Sequence, residues 1–426
     1  MDGDALSAYI KAFDEKLDGL TPINAEDHCI FKVHEQLLKV NEKAYKPMLL
    51  AIGPYNDHSK VGQGLMEEHK LWYLKQMRET RNDRKLEGRA RKCYVECISQ
   101  NKDEFVEMML LDGCFIIELF RKWDGSSPRD GHDPIFELDW MLPKIARDLL
   151  LFENQLPFFV LSKLFLMIEN QSVQIRRFGD LALLFFHGSL PFQWNVNGSS
   201  SYSIKDTKHL LSRPHKAITP PVAKIVYEHL QVGDKFKNAN FKHLLDLIHT
   251  IIRLSSLKRV VKFKKAKQRT TFAIQFSNGE LEISPLRIED ETETFLRNLI
   301  AYEQYDPNKD SSYVTNYMCF MDDLIDSPKD VELLRQKGII ENWLGEDKIV
   351  STMVNKLGHH VSLSPSKSIY VKTSIDMNKH CAKRWNVWMA KLRHNYFNSP
   401  WALLSVLAAI LLLGLAITQT VFSIIN

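Results

Sequence analysis

Charge is missing from the end of this chain: from Trp401 to Ile425 no side chain is ionisable. Cysteine is scarce as well. Six cysteines in 426 residues (Cys29, Cys93, Cys97, Cys114, Cys319 and Cys381) are too few for a disulfide framework and fit a reducing compartment. Cys93 and Cys97 stand four apart, on one face of a helix. No His or Cys pair lies nearby at metal-ligand spacing, so they read as small buried residues. The N-terminus, Met1-Asp-Gly-Asp-Ala-Leu, is acidic and lacks a long apolar run, which excludes a signal peptide.

Catalytic signatures are also missing. There is no phosphate-binding Gly-rich loop ending in Lys-Ser/Thr, and Gly62-Gln-Gly64 lacks the third glycine of a dinucleotide fingerprint. No His-Glu-x-x-His or Gly-x-Ser-x-Gly occurs. His359-His360 stand alone at a helix end, too few to hold a metal. Asp322, Asp323 and Asp326 cluster without the glycine and terminal glutamate of a calcium loop, and read as a solvated face. No catalytic residue, cofactor or metal is therefore expected, and the chain is not expected to be an enzyme. The competing reading is an enzyme with an unrecognised site, built from polar residues in apolar surroundings: Glu118, Glu153, Asn154 and Glu303.

What is present is ordinary globular composition, 45% hydrophobic and 25% charged with a net charge of +4. Apolar residues at helical spacing mark most segments. They include a short N-terminal helix (Leu6, Ile10, Phe13, Leu17), a helix carrying Leu71, Leu74 and Met77 on one face, and a strongly apolar one from Phe105 to Trp123. The last contains Asp112 and Glu118, so it reads as a core helix. Pro157 breaks another apolar stretch after Glu153-Asn-Gln155. Phe272, Ile274 and Phe276 alternate, as do Leu281 and Ile283, around Asn278-Gly279, a two-residue hairpin signal; Val261 and Phe263 offer a third strand. Ser327-Pro328 opens a later helix and Gly338 closes it, followed by one over Asp347 to Leu357.

Two charged segments bear on partners. Lys258, Arg259, Lys262, Lys264, Lys265, Lys267 and Arg269 form a basic run. It reads as a solvated strand or as a contact to anionic lipid, and less as a nucleic-acid site, because stacking aromatics are few. Ahead of the uncharged terminal stretch, Lys383, Arg384, Trp385, Trp388, Lys391, Arg393, Tyr396 and Phe397 make a basic, aromatic segment suited to a membrane interface. The terminal stretch would be about 37 Å long as a helix, enough to cross about 30 Å of hydrocarbon. Trp401, Leu404, Leu407, Leu411, Leu415, Ile417 and Phe422 would be its anchoring residues, with Ser399-Pro400 as its start. The positive charge before it places the N-terminal part in the cytosol.

The ordered blocks Tyr45-Lys-Pro, Ile52-Gly-Pro-Tyr55, Met66-Glu-Glu-His-Lys70, Asp112-Gly-Cys-Phe-Ile-Ile-Glu-Leu119 and Asp148-Leu-Leu-Leu-Phe-Glu-Asn-Gln-Leu-Pro-Phe-Phe159 carry a resemblance. Leu296-Arg-Asn-Leu-Ile-Ala-Tyr-Glu-Gln304, Gly338-Ile-Ile-Glu-Asn-Trp343 and Tyr396-Phe-Asn-Ser-Pro-Trp401 complete it. From Ile30 to the C-terminus the chain resembles the plant family catalogued as domain of unknown function 247. It departs from the family pattern at Val33-His34, at Asn56-Asp57 and in the region of Leu254 to Val260. The resemblance implies a membrane-associated plant protein with no established enzymatic activity. Some grass relatives are linked to pollen-side self-incompatibility, which implies recognition or signalling.

The expected fold is mostly α with a small β-hairpin insert: an α-helical cytosolic domain plus one C-terminal transmembrane helix. Its parts are an N-terminal helix (1–25), a family domain (26–370) with a variable loop (195–221) and a β insert (260–284), a juxtamembrane helix (371–399) and the anchor (400–426). The expected function is a tail-anchored interaction, recognition or signalling module, at the plasma membrane rather than an endomembrane. Its expected partners are the lipid bilayer and another protein, not nucleic acid. A membrane-tethered scaffold that self-associates as a homo-oligomer is the structural alternative.

Overall fold

The computed structural model describes residues 29–77, 87–129, 131–168, 176–186, 208–211, 261–266, 272–305, 312–361, 368–382, 408 and 411–420. The expected N-terminal helix and the 195–207 and 212–221 parts of the variable loop lie outside them, as do Lys258, Arg259, Lys267 and Arg269. A short helix α1 (Glu35–Val40) and 3-10 turns at Glu42–Ala44 and Val61–Gly64 flank an irregular run, followed by α2 (Leu65–Gln76) and α3 (Glu87–Lys92). Next come α4 (Lys102–Asp124), α5 (Pro134–Glu137), α6 (Met141–Leu149), α7 (Phe158–Ile168) and α8 (Arg176–Phe186). Four strands follow: β1 (Lys262–Lys265), β2 (Ile274–Ser277), β3 (Glu280–Ile283) and β4 (Leu286–Ile288). The described chain continues with α9 (Thr292–Tyr305), α10 (Tyr313–Leu324), α11 (Pro328–Gln336), β5 (Ile340–Asn342), α12 (Asp347–Leu357) and α13 (Val371–Ala382).

Helix α4 is the axis of the N-terminal half. Asn101 starts it with a reciprocal cap: its Oδ1 accepts from Glu104 N at 2.9 Å, and Glu104 Oε2 accepts from Asn101 N at 3.0 Å. Gly125, at φ +80, ends it in the left-handed conformation. Between these caps the helix is buried nearly all round, from Phe105 to Lys122, as an apolar helix inside a core must be. It packs on α2, α7 and α8. A Cβ added at Gly113 would fall 2.5 Å from Leu164 Cδ1, so α4 and α7 approach too closely for a larger residue unless Leu164 moves. Further along, the Phe120 ring lies 4.7 Å from that of Phe185 and 6.0 Å from that of Phe178.

The strand content exceeds a single hairpin. β2 and β3 are antiparallel around Asn278 (φ +50) and Gly279 (φ +80), both left-handed as a tight two-residue turn requires. β1 joins β3 in parallel, so the third strand expected from Val261 and Phe263 is present and Phe263 faces the core. A second, two-stranded parallel sheet pairs β4 with β5. Helix α13 sits on the hairpin: the His380 ring is 5.5 Å from that of Phe276, and a Cβ on Gly279 would lie 2.8 Å from His380 Cε1. α11 opens as its sequence dictates, with Ser327 capped by Asp330, Pro328 in the first turn and Gly338 at φ +68 beyond its end.

Two expectations are overturned. The first is the C-terminal transmembrane helix. Among the described residues no helix is long and apolar enough to cross a membrane. In the stretch after Trp401, only Ala408 and residues 411–420 are described as helical. Those last ten residues rise about 15 Å, half of a hydrocarbon core of about 30 Å. Of the expected anchoring residues Leu411, Leu415 and Ile417 lie there, exposed, while Trp401, Leu404, Leu407 and Phe422 lie outside the described residues. So do Lys383, Arg384, Trp385, Trp388, Lys391, Arg393, Tyr396 and Phe397 of the expected interface segment. The second concerns α2. Of Leu71, Leu74 and Met77, expected on one face, Met77 is buried and Leu74 packs against the core, but Leu71 is exposed, and Lys70 is buried with Met66 and Tyr73. A lysine takes an apolar position there because buried acceptors await it.

Candidate functional site

The run from Lys46 to His58 has no regular secondary structure of its own, yet Leu49, Leu50, Ala51 and Ile52 are buried. Buried amides and carbonyls need partners, and here side chains supply them. Asp148, at the end of α6, accepts from Leu49 N at 2.7 Å, Leu50 N at 2.9 Å and Met48 N at 3.0 Å. Arg147 holds that carboxylate at 2.6 Å and also donates to Lys43 O and Lys46 O. Asn154 uses both ends of its amide. Its Oδ1 accepts from Ile52 N at 2.7 Å and Asn56 Nδ2 at 3.0 Å, and its Nδ2 donates to Leu50 O and Asp148 O, each at 2.9 Å. Asp112 Oδ2, from α4, accepts from Gly53 N at 2.8 Å. Gly53 sits at φ +73 with Gln155 O 2.7 Å from where a Cβ would be, so only glycine fits this approach.

Lys70 is the cation inside this lattice, with no exposed side-chain surface. Its ammonium donates to Ala51 O at 2.7 Å and Glu67 Oε1 at 2.6 Å, and lies 3.1 Å from His58 Nδ1. His58 Nε2 is 2.8 Å from Gly53 O. A carbonyl only accepts, so Nε2 carries the proton and Nδ1 of the neutral ring accepts from Lys70. Those three bonds use all three ammonium protons. Asp112 Oδ1 lies 2.7 Å from Lys70 Nζ in an ion pair and meets no hydrogen-bond criterion among the described residues. Glu67 Oε1 lies 3.3 Å from His58 Nδ1, within reach of the proton that an imidazolium carries there.

The charge count agrees: one lysine faces two carboxylates, and an imidazolium balances them. Burial disfavours the charged ring, but the Glu67 hydrogen bond and the Asp112 charge outweigh it, even against Lys70, and the His58 pKa is raised. Burial likewise acts to raise the pKa of Glu67, yet His58 and Lys70 pull it below its ordinary value.

Above this lattice a cleft of about 340 Å³ opens between the His58 loop, α2 and α4. Its wall carries five carboxylates: Asp57, Glu67, Glu104, Glu107 and Asp112, with His58 among them and Met108 and Leu111 as apolar floor. Asp57 is tied to Ser59 and Lys60, and Glu104 to the Asn101 cap. Among the described residues no hydrogen bond or ion pair engages the exposed Glu107.

The residues considered for an unrecognised catalytic site do not converge. Glu118 pairs with Ser127 and Arg121 on α4. Glu153 accepts from Val33 N at 2.7 Å. Glu303 accepts from Val314 N at 2.8 Å and Thr315 N at 2.7 Å. With Asn154, these are fixtures for backbone and helix ends, and none of them lines the cleft. In the basic run, Lys264 pairs with Glu280 and Lys265 with Glu341, on the exposed side of β1. Asp322 and Asp323 are less solvated than expected: burial, and then neighbouring carboxylates, push them up to about 6 and about 7. No group of His, Cys, Asp and Glu among the described residues could hold a metal ion. The cleft residues His58, Glu67, Glu107 and Asp112 were not singled out as a site from the sequence. The available signal was Asp112, a charged residue set in the apolar run from Phe105 to Trp123.

The model of the plant protein family of unknown function, domain of unknown function 247, matches residues 30–415. The chain belongs to that family. Two Arabidopsis thaliana proteins are similar along nearly their whole length. UPF0481 protein At3g47200 is 30% identical over 428 residues, 94% of this chain and 87% of its own. Putative UPF0481 protein At3g02645 is 25% identical over 486 residues, 92% of this chain and 89% of its own. No solved structure matches the chain. The lattice joins blocks that the family resemblance picked out separately: Ile52-Gly-Pro-Tyr55, Met66 to Lys70, Asp112 to Leu119 and Asp148 to Phe159 meet around the irregular run.

Proposed function

We propose that this chain is a non-enzymatic protein-interaction module that takes a cationic group of a partner protein into the cleft beside His58. One observation carries the reading: Glu107 stands exposed on the cleft wall with no hydrogen bond or ion pair among the described residues, beside Glu104 of the Asn101 cap, while Lys70 is held below by Glu67 and Asp112. Lys70 is consumed by the lattice, and both His58 nitrogens have partners, so neither supplies a free positive charge against a cationic ligand. A guanidinium or ammonium head fits such a wall, with Met108 and Leu111 against its aliphatic stem.

The test is fluorescence anisotropy of a labelled peptide carrying two arginines in a glycine and serine background, titrated with full-length protein at low salt. Glu107→Lys changes the exposed carboxylate and leaves the lattice alone. Binding at least tenfold weaker than wild type, and no binding of the matching glutamate peptide, supports the proposal. Equal binding by wild type and Glu107→Lys, or no binding by either, overturns it.

A further inference from the structure

Cys29 and Cys93 are distant in sequence and adjacent in the fold. Ile30 and Tyr94 form a parallel bridge. The amides of Cys29 and Ile30 both donate to Cys93 O at 3.0 Å, and Val95 N returns a bond to Ile30 O at 3.2 Å. The residues immediately before the bridged pair therefore face each other in the same register. Cys93 closes the last turn of α3, its amide bonded to Ala90 O at 3.1 Å, and its carbonyl takes the Cys29 amide directly. That bond keeps the two backbones close, as the Cα separation of about 4.4–6.8 Å that a disulfide spans requires. Neither cysteine is in a disulfide, both side chains are buried, and the Cys29 thiol neighbours that of Cys93, which also donates to Arg89 O at 3.6 Å.

We propose that Cys29 and Cys93 are a reversible dithiol–disulfide pair, a redox modification site that staples the start of the described chain to the segment between α3 and α4. A hydroperoxide oxidises one thiol to a sulfenic acid and is itself reduced to the alcohol or, for hydrogen peroxide, water. The second sulfur then attacks the sulfenic sulfur, the S–S bond forms, and hydroxide leaves with the proton of the second thiol as water. Two thiols of glutathione reverse the change by exchange and leave as glutathione disulfide. The hydrogen bond to Cys93 and then burial hold the Cys29 thiol well above its ordinary range, against the opposing charge of Lys208. Burial restricts access to the sulfurs, so the pair responds to sustained oxidation rather than to a pulse.

The staple has a route to the rest of the molecule. Tyr55 donates to Ile30 O at 3.3 Å and accepts from Glu96 N at 3.2 Å, and the next residue, Asn56, is part of the cleft wall. The bridge that the disulfide would lock is thus the one that Tyr55 spans.

The test equilibrates full-length protein in glutathione buffers of stepped potential, traps free thiols by alkylation, and maps digested peptides by mass. The expected result is a cross-linked pair of peptides, one bearing Cys29 and the other Cys93, lighter by two hydrogens in oxidising buffer and separated again in reducing buffer. The same oxidation should raise the melting temperature of wild type by several degrees and leave that of Cys29→Ala unchanged. Cys29 and Cys93 both recovered alkylated from oxidising buffer, or Cys93 cross-linked to Cys97 instead, overturns the proposal. Peptide mapping of the wild type decides the matter by itself if Cys29→Ala fails to fold.

Discussion

Two sets of charges in this protein use the same chemistry in opposite surroundings. Beneath the cleft, the Lys70, Asp112, Arg147 and Asp148 side chains are at most 3% exposed. On the small sheet, Lys264 and Glu280, and Lys265 and Glu341, are 31–51% exposed. The surface pairs hold only each other, in water and under salt screening. The buried set also holds main chain: Asp148 fixes three consecutive amides, Asp112 a fourth, and Lys70 a carbonyl. The difference teaches what the buried charges are for. They stand in for the missing secondary structure of a run that must be buried to form the cleft wall.

The comparison breaks most severely at Asp112. Asp112→Ala removes the acceptor of Gly53 N and leaves Lys70 with one carboxylate partner. Loss of a buried charge partner costs about 3–5 kcal/mol. Chemical denaturation should therefore show the largest destabilisation of the set at this position, a shift in midpoint without a comparable shift at the sheet.

A smaller effect is expected from pH. The folded-state pKa of His58 is raised, so the imidazolium contributes stability that is fully present below the unfolded value of about 6.5 and is lost as pH rises through the folded value. Thermal melts of wild type should lose stability between pH 6.5 and the higher folded pKa, and His58→Gln should remove that component. An NMR titration of the ring placing its pKa below that of a free histidine would contradict the arrangement of Lys70, Glu67 and Asp112 around it.

At the other end of the comparison, Lys264→Ala should leave the melting temperature within error at moderate salt, since its exposed pair with Glu280 holds no backbone. A large loss there would mean that the sheet's surface charges do more than solvate it.

Local signals made part of this fold legible. The Asn278-Gly279 turn, the Ser327-Pro328 start and the Asp347 to Leu357 helix need only neighbours along the chain, and the structure has all three. Lys70 needed Asp112 and Ala51, which the chain brings in from other segments, so the apolar spacing of Leu71, Leu74 and Met77 gave no sign that the lysine is buried and Leu71 exposed. The β4–β5 sheet was illegible for a related reason: each strand is three residues long and finds its partner across three helices. The terminal stretch misled in the other direction. Its uncharged composition is real, but in the described residues no helix of spanning length follows from it. The cleft itself joins a loop and two helices, and no spacing rule along the sequence links Glu107 to His58.

Side chains, not a sheet or helix, hold the run beneath the cleft as firmly as the core. Amide hydrogen exchange at Met48, Leu49, Leu50, Ile52 and Gly53, read residue by residue in the full-length protein, tests it most directly. Protection comparable to the central amides of α4, lost together in Asp112→Ala, is the expected result. Exchange of these five amides at the rates of an open loop would contradict it.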